Sequence, residues 1–279
     1  MDPTLADLAS LAERPDALID LGLGALLISA LFQPGLDQRR YLRRLDDLAG
    51  IASERVPAQA PMAARIAAFN RFLFVDEGFA GNVADYDDPR NSFLDQVLER
   101  RLGIPISLSV LYLEIARRIA LPAMGIGFPG HFIVRVGLGT EARLLDPFAG
   151  GVPLDTAELD RRLAALYGEG TLTVAANPAL LRPARHREIL VRMLRNLKSV
   201  YLNREDIHRA LTAVSAILTL APDLAEDLRD RGLIYRELGH VTAALADLRR
   251  FAQVADDAEA IAAVTPIIED MEGRRPRLH

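Results

Sequence analysis

The sequence predicts an α+β protein that is mostly helical and carries one small antiparallel sheet near the middle of the chain. Three observations indicate this fold class. Apolar residues recur with helical spacing from Leu5 to about Phe74, and they do so again from about Arg185 onward. Between Leu121 and Gly151 the pattern changes to short strand-like runs separated by glycine-containing turns. Helical segments should therefore flank a short β-region.

The composition is ordinary for a globular protein of 279 residues, with 50% hydrophobic and 25% charged residues. The formal net charge of -5 at pH 7 argues against broad binding to nucleic acid or to anionic membranes, so neither is expected as a partner. The absence of cysteine excludes disulfides, thiolate metal sites and a cysteine nucleophile. The apolar run from Leu21 to Phe32 is too short to span a bilayer, so we expect a cytoplasmic protein.

Residues 1–60 are predicted to form a helical N-terminal part. Asp16 is placed to cap a helix over 17–32, and Asp37 is placed to open a helix that ends near Ile51. Both assignments rest on the ability of an aspartate side chain to accept hydrogen bonds from the free N–H groups in the first turn of a helix.

Residues 61–180 are predicted to form the central domain, which begins with a helix over 62–74. Residues 76–91 are dense in Gly, Asp and Asn, which favour turns, so this stretch is predicted to be a loop. A short helix over 92–101 follows, and then a helix over 108–119 whose residues are apolar on nearly all sides. A helix of this kind is normally buried.

The small sheet is predicted from three strands: Ala123 to Phe128, Phe132 to Val136 and Arg143 to Phe148. If the second hairpin turn is centred between Leu138 and Gly139, His131 lies directly opposite Asp146. Directly opposed residues have Cβ atoms about 5 Å apart, which is close enough for an imidazole to bond a carboxylate. A register shift of one residue would separate them.

Residues 185–279 are predicted to be a helical tail built from a repeat of 34 residues. Four pairs of similar residues are separated by that distance: Leu194 and Leu228, Tyr201 and Tyr235, Ala210 and Ala244, and Val214 and Leu248. This period is typical of tetratricopeptide repeats, and Gly232 lies where their close helix packing needs a small residue. We expect the two repeats, with a capping helix near 258–271, to dock on the central domain. Tyr201 and Tyr235 are candidate binding residues.

The central domain also carries four longer motifs. They are Asn91-Ser-Phe-Leu94, the run from Arg100 to Arg118 that contains Gly-Ile-Pro-Ile-Ser-Leu-Ser, Phe128-Pro-Gly-His-Phe132, and Leu145-Asp-Pro-Phe-Ala-Gly-Gly151. With the tail, these motifs resemble the SirB-type transglutaminase-like proteins of bacteria. The resemblance covers most of the chain after the N-terminal part. It implies a transglutaminase-like, cysteine-protease-like core followed by a tetratricopeptide tail.

The resemblance further implies a triad of Cys, His and Asp, of which this chain lacks one member. His131 and Asp146 match the His and the Asp, whereas the Cys position falls on Pro105, which has no nucleophilic atom. A helix N-terminus would stabilise a thiolate through the helix dipole, and it also suits a proline. The resemblance therefore implies a non-catalytic protein that acts in peptide or protein binding or in regulation.

A hydrolase of amide or ester bonds is the alternative interpretation. Ser107 or Ser109 would replace the thiol, or His131 would activate water, and either route needs an oxygen within about 3 Å of His131 Nε2. Serine near a helix start is more often a cap for backbone N–H groups, and the chain has no Gly-x-Ser-x-Gly elbow. Two further alternatives are a purely structural bond between His131 and Asp146, and an adaptor that works through its tail alone.

Tyr86 and Asn91 are the remaining candidate binding residues, because they match the family pattern ahead of the helix that carries Pro105. The same residue types also stabilise loops, which is the simpler alternative. No metal or other cofactor is expected, because His131 has no second histidine near it in sequence. The other histidines, all assigned to the tail, are His186, His208, His240 and His279.

Overall fold

The structure is a computed structural model that describes residues 3–273, and the chain divides into two compact units. One unit comprises residues 13–193, and the other comprises residues 3–12 together with residues 194–273. Helices dominate and the strands are few and short, which confirms the predicted α+β class. In the part of the chain that the structure describes, no helix is long and apolar enough to cross a membrane. His279 lies outside the described residues.

The helices are α1 (Pro3–Ala12), α2 (Leu21–Phe32), α3 (Gln38–Arg55), α4 (Met62–Asn70), α5 (Leu94–Arg100), α6 (Pro105–Arg118), α7 (Thr156–Tyr167), α8 (His186–Asn203), α9 (Ile207–Leu220), α10 (Ala225–Glu237), α11 (Val241–Val254) and α12 (Ala258–Gly273). The strands are β1 (Ala80–Gly81), β2 (Leu102–Gly103), β3 (Ala123–Ile126), β4 (Ile133–Val136), β5 (Arg143–Asp146) and β6 (Val152–Leu154). Short 3-10 turns lie at Asp16–Leu18, Pro89–Ser92, Gly139–Glu141, Pro147–Ala149 and Pro178–Leu181, and α4 continues as a π-helical turn over Arg71–Asp76.

Helix α6 is the centre of the larger unit. All of its residues from Pro105 to Ala116 are buried, and it packs against α2, α3 and α5 and against strands β3 and β4. Glu114 brings a carboxylate into this core, where its Oε2 accepts hydrogen bonds from the side chains of Arg117 and Arg118. Gly22 of α2 leaves space for it, since a Cβ atom there would lie 2.6 Å from that oxygen. Packing on several elements therefore fixes the position of α6.

The capping role predicted for Asp16 is wrong, whereas the one predicted for Asp37 is confirmed. Asp20, not Asp16, caps α2 by accepting a first-turn N–H at 2.9 Å. The Asp16 carboxylate instead accepts the backbone N–H groups of His186 and Arg187, both at 2.9 Å, at the start of α8. Any carboxylate that the fold brings near can satisfy the free N–H groups of a helix start, so proximity in sequence identified the wrong helix.

The antiparallel sheet has the order β3-β4-β5-β6, in which each strand pairs with the next along the chain. Its register pairs Val134 with Leu145, which differs from the register expected for a turn centred between Leu138 and Gly139. The turn is centred one residue later, and residues 139–141 within it form a 3-10 turn. Moving the centre by one residue changes each partner by two, so the same side chains still share a face.

The smaller unit is helical throughout its described residues. The two predicted repeats correspond to the C-terminal part of α8 with α9, and to α10 with α11. The predicted capping helix is α12, since its Val264 and Met271 share one apolar cluster with Leu245, Leu248 and Phe251 of α11. The N-terminal helix α1 packs against α9 in the same unit. Residues from both ends of the chain therefore build this unit.

Gly232 of α10 provides a test of the repeat packing, because a Cβ atom there would lie 2.7 Å from Leu248 Cγ. We expect Gly232→Ala to lower the free energy of unfolding by about 1 kcal/mol, because overpacking outweighs the higher helix propensity of alanine. Gly50 in α3 is the matched control, because no atom lies within 4 Å of a Cβ atom built there. Gly50→Ala should raise stability by roughly 0.5–1 kcal/mol. Urea unfolding followed by circular dichroism measures both, and changes of the same sign would contradict the packing account.

Candidate functional site

The first turn of α6 occupies the position where the family resemblance places the catalytic thiol. Ile104 is the N-cap, with an extended backbone, and Pro105 is the first helical residue. Proline lacks an N–H group, and the first residue of a helix has no intrahelical acceptor for one, so Pro105 fits here without loss. Its side chain has neither a proton to release nor a lone pair with which to attack. The first helical residue therefore supplies no nucleophile.

The two serines that follow Pro105 are fully buried. The Ser107 hydroxyl donates to the Asn91 carbonyl at 2.5 Å and accepts the Ile104 N–H at 3.0 Å, so it ties the helix start to two preceding segments. The Ser109 hydroxyl has no hydrogen-bond partner among the described residues. The structure thus brings neither hydroxyl into a hydrogen bond with the imidazole predicted to activate it.

Asn91 organises the loop that precedes α5. Its side chain is buried, and its amide donates to the carbonyls of Asp85 at 2.7 Å and Tyr86 at 3.2 Å. The Asn91 side-chain oxygen accepts from the Asn82 amide at 3.0 Å. Tyr86, by contrast, is 47% exposed. Of the two loop residues predicted for the site, Tyr86 is therefore open to a ligand, whereas Asn91 lies in the interior and holds the loop.

His131 and Asp146 form the predicted hydrogen bond, with 2.8 Å between His131 Nε2 and Asp146 Oδ1. They are not directly opposed, because the observed register continues to place Asp146 opposite Ile133, two residues after His131. His131 lies before the first residue of β4, and its imidazole reaches the carboxylate diagonally. In the observed register each residue pairs with a partner two positions away from the predicted one. A shift of two residues keeps a side chain on the same face of the sheet, so the contact is still made.

The Asp146 carboxylate is almost completely buried and fully engaged, at 2% exposure. Besides His131, its Oδ1 accepts the backbone N–H groups of Phe148 at 3.1 Å and Ala149 at 3.4 Å, and its Oδ2 accepts from Arg162 Nη1 at 3.0 Å. Burial alone raises the pKa of Asp146, but hydrogen bonds and charge from His131 and Arg162 outweigh burial and hold that pKa below its usual value. Asp146 is therefore ionised at neutral pH.

The ionised carboxylate assigns the proton on His131. Because the ionised Asp146 carboxylate can only accept, Nε2 of His131 is the donor in this bond. The His131 side chain is 16% exposed, and Nδ1 has no hydrogen-bond partner within residues 3–273. The structure thus places Nε2, the nitrogen expected from the sequence to face an attacking oxygen, on Asp146, and the nitrogen left for a ligand or a water molecule is Nδ1.

Three rings form a strip beside the His131–Asp146 pair, and we call Tyr86, Phe148 and His131 the aromatic rim. The His131 and Phe148 rings meet edge to face with centroids 6.3 Å apart, and the Phe148 and Tyr86 rings do so at 5.8 Å. Phe148 rests on Gly81 of β1, where a Cβ atom would lie 2.6 Å from its ring. The short β1–β2 pair, which the sequence did not predict, thus supports the rim.

Two arginines that sequence reasoning missed hold this site. Arg162 of α7 bonds Asp146, as described above. Arg192 of α8 donates through Nη2 to the carbonyls of Phe128 at 3.1 Å and His131 at 2.6 Å, and its guanidinium lies 5.5 Å from the centre of the Phe132 ring. Neither arginine belongs to a motif with recognisable spacing. Only the fold brings them to the histidine loop and to the carboxylate.

Comparison with known proteins identifies the family of this chain. A family model described as the transglutaminase-like superfamily matches residues 39–195, which is more than half of the chain. The chain belongs to the transglutaminase-like superfamily. A tetratricopeptide repeat model matches residues 197–269. No solved structure matches the chain significantly.

Relatives of this transglutaminase-like protein match along nearly its whole length. A UPF0162 protein of Xylella fastidiosa is 41% identical over 270 residues, covering 97% of this chain and 96% of the relative. A UPF0162 protein of Pseudomonas aeruginosa is 34% identical over 257 residues, covering 92% of each chain. Protein SirB1 of Salmonella typhimurium is 27% identical over 233 residues, covering 82% of this chain and 84% of the relative. The predicted SirB-type resemblance is thereby confirmed.

The other two candidate binding residues lie in the smaller unit. Tyr201 is buried, at 3% exposure, and Arg209 stacks over its ring at 5.7 Å, so its ring serves mainly the core of this unit. Tyr235 is only partly buried and lines a surface pocket of about 550 Å³ together with His240. In residues 3–273, no three His, Asp or Glu side chains are grouped so that they could hold a metal ion.

The pKa of Asp146 generates a prediction about stability. A carboxyl whose pKa is lower in the folded state stabilises the protein above its unfolded pKa of about 4, and this stabilisation disappears as pH falls through the folded value. We expect Asp146→Asn to lower the free energy of unfolding by roughly 2 kcal/mol at pH 7, because charge-assisted hydrogen bonds are weakened. The difference from the unmodified protein should shrink below about pH 4.

Urea unfolding between pH 3 and pH 7 measures this dependence. Glu99→Gln is the control, because Glu99 pairs with Arg40 at 3.1 Å while both side chains are at least half exposed. Such a surface pair contributes less than about 1 kcal/mol. A loss for Asp146→Asn that is the same at both ends of the pH range would contradict the assignment of Asp146 as an ionised carboxylate.

Proposed function

We propose that this transglutaminase-like protein is non-catalytic and binds a peptide segment of a protein partner at the aromatic rim, as part of a regulatory role in the cytoplasm. The observation that carries this proposal is the contrast within one site. The helix start offers no accessible nucleophile, because Pro105 occupies its first position and Ser107 and Ser109 are buried. The His131–Asp146 pair and its supporting bonds are nevertheless complete.

The bonds of Ser107 argue against a serine nucleophile. Its hydroxyl donates to one carbonyl and accepts one backbone N–H, so attack on a substrate would first break both bonds. It would also leave the Asn91 carbonyl without this donor in the interior, which costs about 1–3 kcal/mol. Ser109 is equally buried and lies two residues further into the helix. Ser107 therefore stabilises the helix start, and the Ser109 hydroxyl bonds no described residue.

The aromatic rim favours peptide binding. Tyrosine and arginine are among the residue types that contribute most of the energy at protein interfaces. The Tyr86 ring contacts Phe148 of the rim, and Arg192 donates to the His131 carbonyl. Nδ1 of His131 adds an acceptor that no described residue uses. The tetratricopeptide repeats of the smaller unit support a protein as the partner, since such repeats present surfaces that commonly bind other proteins.

Water-based hydrolysis of an amide or ester bond is the second candidate, and one observation favours it. Asp146 orients His131 through Nε2 and leaves Nδ1 without a hydrogen-bond partner among the described residues, which is the arrangement of a general base. This candidate also requires N–H donors aimed at a developing oxyanion. Turnover of fluorogenic esters or amides that disappears in His131→Ala would select it over the binding role.

Serine-directed activity probes test the non-catalytic proposal. We expect fluorophosphonate probes to leave Ser107 and Ser109 unlabelled, because both hydroxyls are buried, and mass spectrometry of the peptide that contains them measures the outcome. Ser53 serves as the internal control for nonspecific reaction, since it is exposed on α3. Labelling of Ser107 or Ser109 above the level at Ser53, and lost in His131→Ala, would make this protein a serine hydrolase.

Selection from phage-displayed peptide libraries tests the binding proposal. We expect peptides that bind the unmodified protein and lose roughly thirtyfold in affinity with Tyr86→Ala, which is the loss of about 2 kcal/mol typical of a central interface residue. Tyr167→Ala is the matched control, because Tyr167 is a similarly exposed tyrosine of the same unit, at 52% against 47% for Tyr86. Fluorescence anisotropy with synthetic peptides measures the affinities.

His131→Ala should weaken the same peptides and also lower the melting temperature, because it removes one donor to the buried Asp146 carboxylate. The protein should stay folded, since Arg162 and two backbone N–H groups still donate to that carboxylate. A lower melting temperature with unchanged peptide affinity would assign His131 a structural role instead. Failure to select any peptide that depends on Tyr86 or His131 would refute the proposed binding site.

A further inference from the structure

The guanidinium of Arg192 is only partly used by the protein. Its Nη2 donates to the carbonyls of Phe128 and His131, whereas Nε and Nη1 have no acceptor within residues 3–273. Gly127 leaves space beside it, because a Cβ atom there would lie 3.2 Å from Nη1. An arginine presents five N–H donors in a planar fork, so three of them remain for another group.

Arg192 also lacks the carboxylate that three other partly buried arginines have. Arg118 pairs with Glu114 and Asp46, Arg162 pairs with Asp146 and Glu158, and Arg231 pairs with Asp247. No carboxylate oxygen lies within 4.0 Å of Arg192 among the residues that the structure describes.

The pKa values record the same contrast. Burial by itself lowers the pKa of a guanidinium. In Arg118, Arg162 and Arg231 the carboxylate partners outweigh burial, and the pKa is raised. For Arg192, burial prevails and the pKa is lowered. Arginine nevertheless stays charged at neutral pH. A partly buried cation without a counter-ion is costly, and a carboxylate supplied by a ligand would relieve that cost.

Tyr86 places a second donor on the same rim. Its ring contacts the Phe148 ring, the Phe148 ring contacts His131, and Arg192 donates to the His131 carbonyl, so Tyr86 and Arg192 flank the same part of the rim. Burial raises the pKa of the Tyr86 hydroxyl, and the positive charge of Arg192 opposes that rise. The hydroxyl is therefore protonated at neutral pH and able to donate. Asp87 adds negative charge near the same hydroxyl. A ligand group with one negative charge suits these surroundings better than a phosphate dianion.

We propose that Arg192 and Tyr86 form a carboxylate-binding subsite beside His131, so that the peptide bound at the aromatic rim presents a carboxylate there. The carboxylate comes either from an Asp or Glu side chain or from the C-terminus of the partner. Arg192 contributes a charged fork, Tyr86 contributes its hydroxyl, and the edge of the rim contacts the adjoining apolar part of the peptide. This inference rests on the proposed binding function.

Two library formats identify the source of the carboxylate. One displays peptides with a free C-terminus, and the other displays them with the C-terminus fused to the coat protein, so that only side chains supply the charge. The best synthetic peptide is then compared with its neutral form, in which Glu is replaced by Gln or the C-terminal acid by the amide. We expect the acid to bind at least roughly tenfold more tightly, as charged hydrogen bonds require.

Three variants test whether Arg192 recognises the negative charge of the peptide carboxylate. Arg192→Gln should abolish the preference for the acid over its neutral form, and Arg192→Lys should restore part of it. Arg135→Gln is the matched control. Arg135 is also partly buried, it donates to the carbonyl of Leu181, and it has no carboxylate partner among the described residues. This substitution removes the same charge from the same unit and should leave the preference unchanged.

The ratio of the two affinities separates charge recognition from a structural role. If Arg192→Gln weakens the acid and its neutral form by equal factors, Arg192 only holds the His131 loop and the inference is overturned. Selected peptides that depend on Tyr86 and His131 but carry no carboxylate would overturn the inference while leaving the binding function intact. If no peptide depends on Tyr86 or His131, both the inference and the proposed function fail.

Discussion

The carboxylate of Asp146 accepts hydrogen bonds from two side chains and two backbone N–H groups, and the arrangement of the site follows from that acceptor. Because it is ionised and buried, each polar neighbour must donate to it. This requirement sets the tautomer of His131, joins α7 to the sheet through Arg162, and starts the short turn that carries Phe148. The rim and the open nitrogen of His131 are therefore consequences of one charge placed at the end of β5.

The loop that follows Asp146 is held by a second set of bonds. Gly151 lies in a left-handed conformation (φ +77°), and a Cβ atom there would lie 2.6 Å from Asn70 Cγ. The Asn70 amide in turn donates to the Gly151 carbonyl at 2.8 Å, and its oxygen accepts the Tyr112 hydroxyl at 3.1 Å. Burial raises the pKa of Tyr112 far above its usual value, which keeps that hydroxyl a donor. The loop after Asp146 is thus fixed to α6, the helix that begins at Pro105.

Sequence reasoning predicted the fold class, the repeats and the buried α6, because each depends on the spacing of apolar residues along the chain. It predicted the His131–Asp146 bond because side chains alternate between the two faces of a strand. It missed the partners supplied by distant segments. Arg162 is 16 residues from Asp146, and Arg192 donates to a carbonyl 61 residues away. Neither residue differs in sequence from an ordinary surface arginine of an amphipathic helix. Strand β6 was missed because three residues that include Pro153 give too short a signal.

The cap that Asp16 provides for α8 spans 170 residues of sequence, and this separation sets an order of events during synthesis. A ribosome releases Asp16 long before it releases the N–H groups of His186 and Arg187. The larger unit therefore cannot complete this contact until most of the chain has been made, and long-range contacts of this kind slow folding. Helix α1 packs on α9, which follows α8 in the chain, so the contact between α1 and α9 forms later still in synthesis. A chain interrupted before α8 would lack the arginine that holds the histidine loop, which links the integrity of the site to completion of translation.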